Sequence, residues 1–178
     1  ITALLNAITQ RSGMVTFHGP MATSFLDEGK DKKALDALFA LIGGAAPYEP
    51  IVMEGVEVLR EGQASGKLVG GNLTVLESAI GTPYEWNADD GVLFIEEVSE
   101  PLYKTERTLA HLKQAGKLDK IKALIIGKFE DVIDWQEDAK EQGHDVYGRD
   151  LKEFALKYIP ADIPVIYGAP CGHGELLM

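Results

Sequence analysis

GVLFIEE, residues 91–97, decides how the chain is read. Val92–Ile95 is a short apolar run behind a turn signal, Asn87–Gly91, and that pattern marks a buried strand. The run stops at two carboxylates, Glu96 and Glu97. Side chains alternate along a strand, so one acid should face inward and the other outward. A carboxylate at the end of a core strand is costly to bury unless a partner holds it. A histidine that gains charge during catalysis would be such a partner. The alternative is that both acids are solvated at a strand end.

Downstream, Pro101–Gly116 has helical spacing, with Leu102, Thr105, Leu109 and Leu112 on one face. Lys117–Lys120 is a polar connection, and Ala123–Ile126 is a second buried strand ended by Gly127. Strand, helix and strand with short links imply a parallel crossover. Asp131–Arg149 is acidic and irregular, the pattern of a surface insertion. Leu151–Tyr158 reads as a helix stopped by Pro160. Val165–Tyr167 is a third core strand, running into GAPCGHG, residues 168–174.

Upstream, Thr74–Ile80 reads as a helix closed by Gly81. Gly70-Gly71-Asn72-Leu73 leads into it, and paired glycines there permit a close backbone approach or simply a tight turn. Ile51–Arg60 and Gln63–Val69 look like a hairpin turning near Glu61–Gly62. Gly43–Pro50 is a Gly/Pro-rich break. Asp31–Ile42 and Ile1–Ser12 have helical spacing, the latter with Gly13 as its C-cap. Between these two helices, Met14–Phe17 is a short β-like run closed by His18-Gly19-Pro20. No capping residue precedes Ile1, so the helix is expected to begin upstream. The apolar run ending at Met178 likewise suggests continuation.

Composition narrows the classes. The chain has 178 residues, 46% hydrophobic and 25% charged, which is globular composition. A net charge of -11 disfavours nucleic-acid binding. A single cysteine, Cys171, excludes an internal disulfide and is compatible with a reducing compartment. No apolar run approaches membrane-spanning length.

In a parallel sheet, functional groups gather at the carboxyl ends of strands. If the three core strands are neighbours, Glu96 or Glu97 can reach His173 in the glycine loop, giving an acid–base pair. A nucleophile is then missing. Cys171 is the less favoured candidate, because residues two apart in one loop rarely point at each other. The serines within the chain have no elbow context; the strained strand–Ser–helix turn would lie just ahead of Ile1. His18 would line a pocket or, preferably, make a structural hydrogen bond. His111 and His144 carry no assigned role. The four histidines show no metal-ligand spacing, and no metal or cofactor is expected.

ITALLNAITQRSGMVTFHGPM, LVGGNLTVLESAIGTPYEW, VLFIEEVSEPLYKTERTLAHL and APCGHG, in this order, resemble the LD-carboxypeptidase family of serine peptidases. That family includes murein tetrapeptide carboxypeptidases and microcin immunity proteins. The resemblance covers most of the chain, except Asp131–Lys157. It implies an α/β fragment of a two-lobe enzyme. Residues 1–43 would end the N-terminal nucleophile lobe, and residues 44–178 would form a mixed-sheet C-terminal lobe carrying Glu and His.

The resemblance also implies a Ser–Glu–His triad. Its serine stands in a Gly-x-Ser-Asp turn immediately ahead of Ile1, its glutamate matches Glu96 with Glu97 as the alternative, and its histidine matches His173. Gly71 and Asn72 match a substrate-pocket loop. The implied reaction removes terminal D-alanine from a murein tetrapeptide, in a cytoplasmic homodimer without cofactor. Two other functions fit the same motifs. One is microcin-immunity-type hydrolysis of aminoacyl-adenylate analogues, with Trp135 as a stacking platform. The other is a non-catalytic muropeptide-binding module.

Overall fold

The computed structural model describes residues 1–19, 32–44, 53, 55–131 and 150–172. Ten elements follow in chain order: α1 (Thr2–Ser12), α2 (Lys32–Ile42), β1 (Glu57–Arg60), β2 (Leu68–Asn72), α3 (Leu73–Ser78), β3 (Val92–Val98), α4 (Leu102–Gln114), β4 (Ala123–Glu130), α5 (Leu151–Tyr158) and β5 (Val165–Tyr167). One mixed sheet has the order β1-β5-β4-β3-β2. β2 to β5 pair in parallel, and β1 joins β5 antiparallel at one edge.

The expected core strand is there, and it runs on through both acids to Val98. Leu93 and Ile95 face Leu124 and Ile126 across the β3–β4 register. All four are fully buried, and they join Leu76, Leu109, Leu112 and Phe154 from the helices in one core. The intervening residues Phe94 and Ile125 lie on the other face and keep partial exposure. The parallel β3–α4–β4 crossover matches expectation. Gly127, expected to end its strand, instead lies within β4. There β4 carries one residue more than β3, because Ile95 faces Ile126 while Glu97 faces Phe129.

Two other expectations fail. Residues 57–60 and 68–72 are not a hairpin, for they occupy opposite edges of the sheet. Gly62 is no hairpin turn; it lies so close to Pro164, ahead of β5, that a Cβ would overlap the proline ring. The connection therefore crosses beneath the amino ends of the strands. Arg60 fastens β1 there by donating from Nη1 to the carbonyls of Pro160 (2.6 Å) and Ile163 (2.8 Å). Met14–Phe17 is not a strand either. It extends from α1 with Val15 77% exposed, held by a 2.8 Å contact between the hydroxyls of Thr9 and Thr16. Short apolar runs match a strand pattern whether or not a neighbour pairs with them, and none among the described strands does.

The helix ends behave as expected. α1 closes at Gly13, left-handed at φ 71°, whose N–H donates to Thr9. Asp150 caps α5 by accepting from Glu153 N–H. No described helix is long and apolar enough to cross a membrane. The Asp131–Arg149 insertion falls outside the described residues apart from its first.

β2 and β3 can pair as they do only with glycine at position 70. Gly70 has φ 149°, and a Cβ there would overlap the carbonyl of Phe94. Gly70→Ala should lower unfolding stability by about 3 kcal/mol or more, read by urea denaturation, whereas Gly81→Ala, in an open turn, should cost about 1 kcal/mol.

Candidate active site

Both acids at the end of β3 are buried, Glu96 to 1% exposure and Glu97 to 4%. Alternation does send them to opposite faces, but neither face is solvent. Glu97 falls on the side of Leu93 and Ile95, beneath the start of α3. Its Oε1 accepts from Asn72 Nδ2 (2.5 Å) and from Val98 N–H (3.0 Å), and its Oε2 accepts from Thr74 N–H (2.8 Å). Every partner is a donor, which suits a carboxylate that can only accept.

Glu96 falls on the side of Phe94, where the loop after β5 arrives. That loop continues the pairing along β4. Ala169 N–H donates to Ile126, and Lys128 N–H donates to Cys171 (2.9 Å). It thereby brings Gly172 against Glu96: a Cβ on Gly172 would lie 3.4 Å from the Glu96 Cβ and 3.2 Å from that of Lys128. His173, the next residue, lies outside the described residues, as do Trp135 and His144.

Asn72 is the register partner of Glu96 on β2 and also the N-cap of α3. Its Oδ1 accepts from Val75 N–H (3.0 Å), which turns Nδ2 toward Glu97. Its backbone N–H donates to Thr2 Oγ1 (2.9 Å), and a Cβ on Gly71 would overlap the Thr2 side chain. The first turn of α1 is thus fastened to the carboxyl end of β2. Farther along α1, Asn6 Nδ2 donates to Gly70 (2.9 Å), Gln10 accepts from Asn87 N–H (3.1 Å), and Arg11 stacks 4.7 Å over Tyr84. The start of α1, the Gly71–Asn72 step, Glu96 and the end of the Gly168–Gly172 loop therefore meet at one end of the sheet.

Thr2 had no sequence signal of its own, because it sits at a helix start without a capping pattern. The role of Glu97 was half visible: an Asn immediately before an apolar helical run signals an N-cap, and a neighbouring acid is a natural partner for it. His18 is exposed beyond α1. His111 pairs with Glu77 across α3 and α4 at 2.9 Å, which is a tether rather than a site.

A family profile for the LD-carboxypeptidase C-terminal domain matches residues 65–177. The chain belongs to the LD-carboxypeptidase family. A probable murein peptide carboxypeptidase of Bacillus subtilis is 37% identical over 75% of this chain and 42% of its own length. A murein tetrapeptide carboxypeptidase of Pseudomonas aeruginosa is 30% identical over 98% of this chain and 55% of its own. Among solved structures, the muramoyltetrapeptide carboxypeptidase of Oxalobacter formigenes superposes with TM-score 0.73 at 29% identity, over 98% of this chain and 57% of that one. The MccF-like protein of Bacillus anthracis gives 0.72 at 27%, over 97% and 57%. The chain spans about half the length of the relatives it matches.

Within this family setting, the cysteine is a poor nucleophile. Burial pushes the Cys171 thiol up from its ordinary range, against a smaller opposing pull from Lys128. Iodoacetamide should therefore label Cys171 in the folded protein more slowly than in urea at pH 8, with the rate still climbing above the pH at which a free thiol levels off. Labelling as fast as in urea would restore the thiol as a candidate.

Proposed function

We propose that this chain carries the Glu–His half of a serine-type LD-carboxypeptidase, which hydrolyses the bond to the terminal D-alanine of a murein tetrapeptide. The observation that carries the reading is the approach of Gly172, the residue before His173 in the sequence, to the buried carboxylate Glu96. Glu96 is the preferred triad acid, since it lies on the face of β3 that Gly172 approaches, whereas Glu97 lies on the opposite face beneath α3. The relatives named as murein carboxypeptidases support the substrate class.

In this mechanism His173 takes the proton of a serine hydroxyl and later returns it to the leaving amine. Glu96 orients the imidazole and stabilises its charged form. The serine would stand ahead of Ile1, at the start of the helix that Thr2 ties to Asn72. Backbone N–H groups beside that serine would hold the tetrahedral oxyanion. Gly71 and Asn72 would border the substrate. We further assign the enzyme to the cytoplasm as a homodimer, the compartment and assembly that the family resemblance implies.

In the full-length protein, Glu96→Ala and His173→Ala should each lower kcat on a murein tetrapeptide by about 10⁴-fold, followed by mass spectrometry of released D-alanine. Full activity in either variant would sink the triad. Cleavage of an aminoacyl sulfamoyl adenosine in preference to the tetrapeptide would replace the murein assignment.

A further inference from the structure

Glu97 is a second buried acid beside the proposed triad, and the reaction as written gives it nothing to do. Its surroundings are unusual for a strand-end carboxylate. It accepts from three N–H groups on three different segments: the Asn72 side chain from β2, Thr74 from the first turn of α3, and Val98 from its own strand. The consequence reaches Asn72. With Oδ1 held by Val75 N–H and one Nδ2 proton held by Glu97, the amide cannot flip without losing both bonds. Among the described residues, the second Nδ2 proton has no acceptor. It is an oriented donor at the register position opposite Glu96.

We infer that Glu97 is a positioning residue that locks the Asn72 amide so its remaining N–H can donate to a carbonyl or carboxylate oxygen of the bound peptide. This rests on the reaction proposed above. Glutamine at 97 keeps the shape but offers one accepting oxygen instead of two, and it turns an NH₂ group toward other donors. The lock on Asn72 would then fail while Glu96, on the opposite face of β3, keeps its place.

The test is steady-state hydrolysis of a murein tetrapeptide by the full-length protein, with Glu97→Gln, Asn72→Ala and the double variant measured at a temperature where circular dichroism shows each folded. In Glu97→Gln, KM should rise about tenfold, the loss of one aligned hydrogen bond, with kcat held within about threefold. The pH profile of kcat should not move. The double variant should show the KM of Asn72→Ala alone, because the acid acts through the amide. A loss of about 10⁴-fold in kcat for Glu97→Gln, with Glu96→Gln near wild type, would make Glu97 the triad acid and overturn the inference. Unchanged KM and kcat with only a lower Tm would overturn it too, leaving Glu97 as a helix cap. Should Glu97→Gln not fold, Asn72→Ala decides alone: an unchanged KM refutes the oriented donor. A wild-type protein inert on every LD-peptide refutes the proposed reaction and with it the kinetic role of Glu97. Exchange broadening of the Asn72 side-chain NH₂ resonances then still reads the lock by itself. Faster exchange of that NH₂ group in Glu97→Gln, but not in Glu96→Gln, supports it, and equal rates overturn it.

Discussion

Two neighbouring carboxylates lie near the end of β3, and neither is in water. Burying a carboxylate without donors costs several kcal/mol, so each acid constrains the elements around it. Glu97 collects its donors from β2, β3 and the start of α3, which explains why a strand as short as Leu68–Asn72 passes directly into a helix. Glu96 constrains the other face, where the loop leaving β5 is paired along β4 until Gly172 closes over it. The carboxyl end of the parallel strands is arranged around these two requirements.

The same constraint gives the glycines their places. Gly70 and Gly71 are strand residues with φ values that favour glycine, not a loose approach to a helix. One lets β2 lie against the Phe94 carbonyl and the other admits the Thr2 side chain. A side chain at either position would separate α1 or β3 from β2, and with it the residues that meet at the carboxyl end.

Much of this was legible in the chain. The apolar run at 92–95 announced its strand because parallel strands are buried on both faces and read as unbroken hydrophobic stretches. The helices at 2–12, 102–114 and 151–158 announced themselves by spacing and by their stop signals. Strand pairing was not legible. The segments at 57–60 and 68–72 are eight residues apart yet belong to opposite edges, because a partner is chosen by long-range packing that no local pattern records. Met14–Phe17 failed for the same reason in reverse, as a β-like run that no described strand joins. At the site, alternation separated Glu96 from Glu97 correctly. It could not say that the outward face of β3 would also be covered, since the covering loop begins some seventy residues later. Family resemblance singled out Glu96 over Glu97, a choice that no local pattern makes.

α1 meets β2 through Thr2 and Asn6 and the loop ahead of β3 through Gln10 and Arg11, a polar stripe, while Leu4 is 57% exposed. Apolar contacts tolerate sliding; hydrogen bonds do not, because each fixes a direction as well as a distance. This helix therefore cannot creep along its axis or roll without breaking several bonds at once. The first turn of α1 is therefore a rigid pivot at the carboxyl end of β2, aimed by angles rather than by grease.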